Sequence, residues 1–234
     1  MPETASLARL TASLPPSSRL AAIGELSDQD CQKLLYDWEY WARPQQLEPA
    51  GEWDIWCLLT GRGWGNSRTG AEYVRKNVER GKMGRVALIA RTAGDVRDVM
   101  IEGESGLMAI SPPWFMPVWE PSKRRVTWPN GAMATTYSAD EPNALRGPQH
   151  DGGWCDELAA WRYLDDCWNH MRFGLRSGPR PHWVASTTPK PKPRIKKLSD
   201  GRMRNVVVTR ASMYDNPYLP DDIKEALEEE YGGT

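Results

Sequence analysis

The sequence has little net charge and lacks any long apolar run. Its 30 lysines and arginines nearly offset 31 acids, for a formal net charge of −1. No overall field therefore attracts nucleic acid, and any such contact must come from a local cluster. No apolar run approaches the roughly 18 residues that span a bilayer. The N-terminus also lacks the charged and apolar regions of a signal peptide, so neither a membrane protein nor a secreted one is expected.

Cysteine and phenylalanine are scarce as well. The spacing of the four cysteines is not typical of a metal site, and reduced thiols in a cytoplasm are expected. Twelve tryptophans stand against two phenylalanines, and most of them are expected to pack in the core. The length of 234 residues, with 40% hydrophobic and 26% charged residues, is typical of one globular domain.

Strands alternate with helices along the chain, which predicts an α/β fold with a mainly parallel sheet and helices on both faces. We predict strands at 55–60, 85–90, 125–128, 132–137, 182–186 and 206–209, and one ending at 155. The predicted helices are 27–41, 66–80, 94–101 and 221–231. Residues 1 to about 20 are expected to be an arm, and the proline-rich stretch 190–204 a mobile basic loop.

The most informative stretch runs from Leu59 to Glu72. A short apolar strand leads into a turn with three glycines, and a helix-forming run follows from Ser67. A strand, a glycine turn and a helix N-terminus together form an anion cradle, because backbone N–H groups and the helix dipole both favour phosphate. The stretch therefore predicts a phosphate-binding loop made by Gly61, Arg62, Gly63, Trp64, Gly65, Asn66, Ser67 and Arg68.

The loop departs from the usual pattern, G-x-x-x-x-G-K-[ST], at two positions. Thr60 replaces the first glycine and Asn66 replaces the lysine, whereas Gly65 and Ser67 fit. Asparagine is short and uncharged, so the cation that normally contacts the outer phosphates is missing. Arg62 is the loop cation that could replace it, since arginine contacts phosphate bidentately.

Asp156 and Glu157 follow a predicted strand downstream of the loop. Phosphoryl transfer needs a metal to neutralise charge and a base to aim the nucleophile. Asp156, with Ser67, is therefore predicted to hold Mg²⁺, and Glu157 to orient and deprotonate the attacking water. The alternative is a solvated acidic turn, and the phosphate loop favours the functional interpretation.

Two further segments carry weaker signals. The hydroxyls of Ser186, Thr187 and Thr188 end another predicted strand, where they either sense the terminal phosphate or form an ordinary turn before proline. Beyond them lies a dense basic segment, which either contacts a phosphate backbone or is a solvated face. Its DNA-binding candidates are Lys190, Lys192, Arg194, Lys196 and Lys197.

Together these residues resemble the ATPase domain of tailed-bacteriophage terminase large subunits, the motors that package viral DNA. The resemblance covers about residues 27 to 234 and also includes segments outside the loop and the acidic turn. Those segments are 41–47, 120–125, 128–132, 137–142, 145–151 and 186–189.

The resemblance implies a P-loop NTPase of the RecA/ASCE type that uses ATP and Mg²⁺. It implies that Gln45 or Gln46 meets adenine, and that residues 186–188 couple nucleotide state to movement. Arg146 is the candidate for the arginine that a neighbouring subunit supplies in such rings, although an ion pair with Asp140 or Asp151 is an equal alternative. The implied domains are an arm with the start of a lid (1–26), an ATPase core (27–220), and a helix with the start of a linker (221–234).

The implied partners are double-stranded DNA, a portal protein, the terminase small subunit and neighbouring copies in a ring, with no membrane. The implied location is the host cytoplasm, transiently at the portal vertex of the procapsid. Such large subunits normally continue into a nuclease, for which 234 residues leave no room, so the chain is expected to be the motor half alone.

The sequence does not decide whether a chain with Asn66 at the lysine position hydrolyses ATP. Weak or absent hydrolysis with partly retained nucleotide binding is expected, because electrostatic stabilisation is the main catalytic term in phosphoryl transfer. The competing interpretations are a nucleic-acid helicase core, which needs a second RecA-like domain, and a nucleotide-binding assembly module without turnover.

Overall fold

The computed structural model describes residue 11 and residues 13–231, and the chain divides into two compact units, Met1–Leu47 and Glu48–Thr234. The first unit is helical. It contains α1 (Pro16–Gly24), α2 (Asp28–Leu35), α3 (Trp38–Trp41) and a 3-10 turn at Pro44–Gln46. In the described residues no helix has both the length and the apolarity to cross a bilayer.

The single helix predicted over 27–41 is wrong, because the segment holds two helices with separate N-caps. Ser27 accepts a hydrogen bond from the backbone N–H of Asp30 and caps α2, as the sequence suggests. Asp37 accepts from the N–H of Glu39 and begins α3. A second capping side chain inside the run therefore starts a new helix. The predicted arm includes α1, and residues 1–10 lie outside the described part.

The second unit is built on one eight-stranded sheet with the order β3-β4-β5-β2-β6-β7-β1-β8. The six strands from β5 to β8 in this order are parallel to one another, whereas β4 is antiparallel to both β5 and the edge strand β3. The strands are β1 (Ile55–Thr60), β2 (Arg85–Ala90), β3 (Val118–Glu120), β4 (Arg125–Thr127), β5 (Met133–Ser138), β6 (Gly152–Cys155), β7 (His182–Thr187) and β8 (Val206–Ala211). The mainly parallel sheet predicted from the sequence is confirmed.

The helices of this unit are α4 (Asn66–Glu79), α5 (Ala93–Asp95), α6 (Leu107–Ile110), α7 (Leu164–Gly174), α8 (Pro193–Ser199) and α9 (Asp221–Tyr231). A π-helix, Val96–Ile101, continues α5, so the predicted helix near 94–101 is confirmed in irregular form. Short 3-10 turns lie at Pro113–Phe115, Pro121–Lys123, Pro142–Leu145, Leu158–Ala160 and Met213–Asp215. Three elements, β3, α6 and α7, are not predicted from the sequence.

Helices cover both faces of the sheet, as predicted. Side chains alternate along β1, so Trp56 and Leu58 join one apolar cluster while Ile55 and Cys57 join the other. The first cluster includes residues of α4, α6 and the π-helix, and the second includes residues of α7 and α8. The two layers of helices thus leave the ends of the strands as the open edges of the sheet.

Tryptophan fills much of this core. Seven tryptophans are almost fully buried, namely Trp56, Trp64, Trp128, Trp154, Trp161, Trp168 and Trp183. The prediction that most tryptophans pack in the core is confirmed. All four cysteines are free thiols, and Cys57, Cys155 and Cys167 are buried.

Gly70 lets α4 lie directly on the sheet. A Cβ at this position would stand 2.3 Å from the indole of Trp154, which is fully buried on β6. Gly70→Ala is therefore expected to lower the free energy of unfolding by about 1–3 kcal/mol through overpacking. Urea denaturation measures this loss. Gly84→Ala is the control, because its Cβ would meet only Asp151 Oδ2 at 3.5 Å; an equal loss in both variants would contradict the prediction.

Candidate functional site

The loop between β1 and α4 has the geometry of an anion cradle. All six residues of β1 are buried, so the strand holds the loop rigidly. Gly63 and Gly65 have φ of +73° and +105°, values that glycine adopts without strain. Gly65 is the N-cap of α4, and its carbonyl accepts from the hydroxyl of Thr69 at 2.9 Å. The first N–H groups of the 14-residue helix therefore face the loop.

The predicted nucleotide-binding residues 61–68 all lie in this loop or in the first turn of α4. Trp64 is fully buried in the core, so its indole anchors the loop from beneath and offers a ligand only its backbone. Arg62 is exposed at the tip of the loop. Ser67 lies at the second position of the helix, half-buried at the mouth of the cradle.

Arg68 is held in place by a buried carboxylate. Its Nη2 lies 2.8 Å from Glu72 Oε1, and Arg75 lies 2.7 Å from the other oxygen, Oε2. Glu72 and Arg75 are almost fully buried, whereas the side chain of Arg68 is 36% exposed. Arg68 is therefore an oriented cation beside the start of α4.

A segment that the sequence analysis did not connect with the loop packs against it. Asn216 Nδ2 donates to the carbonyl of Gly63 at 2.7 Å. A Cβ on Gly63 would lie 2.7 Å from Leu219 Cδ2 and 3.6 Å from Leu227 Cδ1, so side chains before and within α9 lie on the loop. No pattern in the sequence indicates this contact, because it joins residues about 150 positions apart.

Asp156 and Glu157 lie at the carboxyl end of β6, and β7 is the one strand between β6 and β1. Because β6, β7 and β1 are parallel, their carboxyl ends share the sheet edge that carries the loop. Asp156 is 7% exposed, and its Oδ1 accepts from the Ser186 hydroxyl at 2.6 Å. Burial raises the pKa of Asp156 to about 6. The predicted acidic turn thus lies at the same end of the parallel strands as the loop, and its roles in metal binding and catalysis stay predictions.

Glu157 adopts an uncommon backbone conformation, with φ +52°. Its N–H donates to Ser186 Oγ at 3.1 Å, and its Oε2 accepts from Thr188 Oγ1 at 3.4 Å. A left-handed conformation at a non-glycine residue costs free energy and persists where the surroundings fix it. The hydroxyl of Ser186 therefore holds the Glu157 backbone, and the hydroxyl of Thr188, the residue after β7, contacts the carboxylate.

Ser186, Thr187 and Thr188 all contact the acidic turn. Besides the contacts above, Thr187 Oγ1 accepts from the N–H of Ala159 at 3.1 Å. The three hydroxyls thus link the end of β7 to residues 156–159. This arrangement is more specific than an ordinary turn before proline, and a role in sensing phosphate stays a prediction.

The buried Asp156 carboxyl should make stability depend on pH. Its folded-state pKa of about 6 exceeds its ordinary value of 3.8, so the folded protein holds the proton more tightly than the unfolded chain does. The stability that the protonated carboxyl contributes is full below pH 3.8 and is lost as the pH rises through about 6. Asp156→Asn removes the charge and keeps an oxygen acceptor for Ser186. Without divalent metal, we expect this variant to exceed the native chain in unfolding free energy by roughly 2 kcal/mol at pH 8.

Chemical denaturation of both chains at pH 4, 6 and 8 measures this difference. The gain should be much smaller at pH 4, where the carboxyl is protonated in the folded state and close to half protonated in the unfolded state. A difference that does not change with pH would contradict the prediction.

Arg146 is exposed and follows the 3-10 turn Pro142–Leu145. Within the described residues, it forms neither of the two ion pairs considered from the sequence. The Asp151 carboxylate instead accepts from the backbone N–H groups of Gly84 and Arg85, at 2.8 and 2.9 Å. Arg146 is therefore accessible to another molecule.

The basic segment is partly helical, so the mobile loop predicted over 190–204 is wrong. Pro193 occupies the first turn of α8, where its missing N–H costs nothing, and Ile195 and Leu198 are buried. Lys192 Nζ donates to the Trp161 carbonyl at 2.7 Å. Arg194 pairs with Asp165 and lies over Trp168, so these two candidates have structural contacts. The remaining candidates, Lys190, Lys196 and Lys197, are exposed.

Gln45 and Gln46 belong to the first unit. Gln45 is exposed, whereas Gln46 is 5% exposed and its Oε1 accepts from the N–H of Arg43 at 3.1 Å. Their predicted contact with adenine stays a prediction.

The residues present suit a hard cation at the loop. Mg²⁺ takes oxygen ligands and, beside phosphates, needs only one or two from the protein. The Ser67 hydroxyl and the Asp156 carboxylate supply such oxygens at the same sheet edge. In the part of the chain that the structure describes, no cluster of three or more His, Cys, Asp or Glu residues forms a self-sufficient metal site.

The chain is similar to terminase large subunits and DNA packaging ATPases of bacteriophages. The family model for the N-terminal part of T4likevirus-type terminase large subunits matches residues 57–234. No curated protein sequence matches. The ATPase domain of the Thermus phage P74-26 large terminase is 16% identical, with a TM-score of 0.59 over 88% of this chain and 97% of that one.

Two other solved structures are similar. The large terminase of a thermophilic bacteriophage in complex with ATP-gamma-S is 16% identical, with a TM-score of 0.59 over 87% of this chain and 49% of that one. The N-terminal domain of the DNA packaging ATPase from bacteriophage phi29 is 13% identical, with a TM-score of 0.50 over 68% of this chain and 90% of that one. This chain spans about half the length of the full large terminases that it matches.

Proposed function

Since the chain belongs to the family of terminase large subunit N-terminal domains, we propose that it is the ATPase motor domain of a viral DNA-packaging machine. It would couple ATP hydrolysis to the movement of double-stranded DNA into a procapsid. The P-loop fold predicted from the sequence agrees with the fold of the similar structures. The observation that carries the proposal is the shared sheet edge, where the phosphate loop and the Asp156–Ser186–Glu157 cluster meet.

We infer the roles of the residues from their positions. The backbone of residues 61–65 and the N-terminus of α4 would hold the phosphates, with Arg62 and Arg68 as the nearby cations. Ser67 and Asp156 would hold Mg²⁺, which supplies charge neutralisation at the transferred phosphoryl group. Glu157 would orient and deprotonate water, because Ser186 holds its backbone N–H and the Thr188 hydroxyl contacts its carboxylate. Arg146, exposed on its turn, would complete the site of a neighbouring copy.

The proposal also assigns roles to the adenine-binding, coupling and terminal segments. Gln45 or Gln46 would meet adenine, and Ser186, Thr187 and Thr188 would transmit the state of the nucleotide from the acidic turn to the basic segment. Residues 1–26 would form the arm and start of a lid, 27–220 the ATPase core, and 221–234 a helix leading to a linker. The proposed partners are double-stranded DNA, a portal protein, the terminase small subunit and ring neighbours, in the host cytoplasm at the portal vertex.

Asn66 favours a second candidate, a nucleotide-binding module that assembles without turnover. Lysine at this position carries a positive charge, and the transition state of phosphoryl transfer is stabilised chiefly by charge. The two candidates differ in turnover and not in binding.

Duplex DNA tests the motor proposal. We expect the native chain to bind ADP and ATP, and to hydrolyse ATP slowly, at a rate that linear duplex DNA increases. A Lys196→Ala/Lys197→Ala chain should lose the increase, while Lys82→Ala, an exposed lysine outside the basic segment, should keep it. Binding without any turnover would favour the assembly module, and separation of the DNA strands would favour a helicase.

A further inference from the structure

The two departures from the phosphate-loop pattern touch each other. Thr60 takes the place of the first glycine and Asn66 that of the lysine, six residues later. The Thr60 hydroxyl donates to Asn66 Oδ1 at 2.6 Å. A short hydrogen bond between the two positions that depart from the pattern indicates that the two residues act together and are not independent replacements.

The strand fixes one member of the pair. Thr60 is the last residue of β1 and is 1% exposed, so its side chain has no freedom to turn towards solvent. Asn66 is the first residue of α4 and is half-buried at the mouth of the loop. The buried hydroxyl therefore sets the orientation of the partly accessible carboxamide.

This contact determines which end of the carboxamide is available. Because Oδ1 accepts from Thr60, the Nδ2 end with its two N–H donors is directed away from the strand. Within the described residues, no protein group accepts a hydrogen bond from Nδ2. Donors at the N-terminus of a long helix add to the backbone N–H groups that favour an anion there.

We propose that Asn66 is a phosphate-binding residue that acts through its uncharged Nδ2 donors, and that Thr60 is its positioning residue. This inference rests on the proposed function, in which the loop holds a nucleotide. The site is then an amide-type phosphate site. It binds the phosphate that ADP and ATP share over the loop, and it lacks a charge directed at the terminal phosphate of ATP.

Two consequences follow from this proposal, and the second separates it from a site that has merely lost a lysine. A short neutral donor does not compensate the extra negative charge of the third phosphate. ADP and ATP should therefore bind with affinities within about threefold of each other, and these affinities should depend only weakly on salt concentration. In addition, Thr60 should matter to binding only through Asn66. If Asn66 were an inert replacement, the hydroxyl of Thr60 would have no effect.

A double-mutant cycle on ADP binding tests the pair. Asn66→Ala should weaken binding about tenfold, and Thr60→Val about fivefold, since each removes or misdirects one hydrogen-bonding group. In the Asn66→Ala background, Thr60→Val should add less than about twofold. Thr60→Ser keeps the hydroxyl, so this variant should bind ADP with near-native affinity. Calorimetry gives the affinities, and thermal melting of each variant verifies folding.

Each outcome decides between the claims. If the native chain binds ADP and the two single effects multiply in the double variant, the positioning role of Thr60 is wrong while the proposed function stands. If Asn66→Ala binds as tightly as the native chain, the amide donor is wrong. If the native chain binds neither ADP nor ATP, the proposed function itself fails.

Discussion

Asn66→Lys is expected to raise the rate of ATP hydrolysis by about a hundredfold or more, because loss of one preorganised electrostatic contact costs that much in other enzymes. The lysine ammonium would reach the outer phosphates from the first position of α4, where the asparagine amide offers only a dipole. The other proposed site residues already lie at the same sheet edge, so under this proposal a single charge is the missing part. Steady-state phosphate release with Mg²⁺ measures the effect.

The matched control is Asn66→Gln, which lengthens the side chain without adding charge. At saturating ATP it should leave turnover near the native rate, because the displaced amide weakens nucleotide binding and adds no charge. The Thr60 hydroxyl loses its acceptor in the lysine chain, so Thr60→Gly combined with Asn66→Lys restores the complete pattern and should be at least as active. Equal turnover in the native and lysine chains would contradict the prediction and would assign the cation role to Arg62 or Arg68.

Glu157→Gln in the Asn66→Lys chain is expected to lower turnover about 10²–10⁴-fold, the usual contribution of a general base. Glutamine keeps the size of the side chain and an oxygen acceptor for Thr188, so the hydroxyl network around residue 157 should persist. ADP affinity should therefore change little. The measurements are steady-state hydrolysis and ADP titration of the same preparations.

Glu141→Gln is the control for this substitution. Glu141 is an exposed acid whose ion pair, with Arg124 at 3.7 Å, is far weaker than a buried contact. Its loss should not change turnover. A Glu157→Gln chain that hydrolyses ATP normally would remove Glu157 from the mechanism.

Much of the fold can be predicted from local patterns of apolar residues and glycines in the sequence. The strand–loop–helix unit around the phosphate loop lies where periodicity and glycines predict it, with β1 at Ile55–Thr60 and α4 at Asn66–Glu79. The β4–β5 hairpin is likewise predicted, because Asn130 and Gly131 mark its turn, and Gly131 has φ +84°. The parallel sheet then brings the loop and Asp156 to one edge without further information.

The parts that pattern did not predict depend on contacts between distant residues. The prolines of 190–204 indicate a loop when read locally, yet burial of Ile195 and Leu198 stabilises a helix there. The contacts of Asn216 and Leu219 with Gly63 join segments that no periodicity relates. The Thr60–Asn66 hydrogen bond is of the same kind, because the sequence shows two deviations and only the structure shows that they meet.

Titration calorimetry of the native chain with ADP and ATP, beside its Asn66→Lys variant and with Mg²⁺ present, tests the central claim most directly. The account predicts a single site for each nucleotide in both chains, with tighter ATP binding in the lysine chain. Absence of binding in both chains would contradict the assignment of residues 61–67 as a nucleotide site, and with it the packaging-motor function.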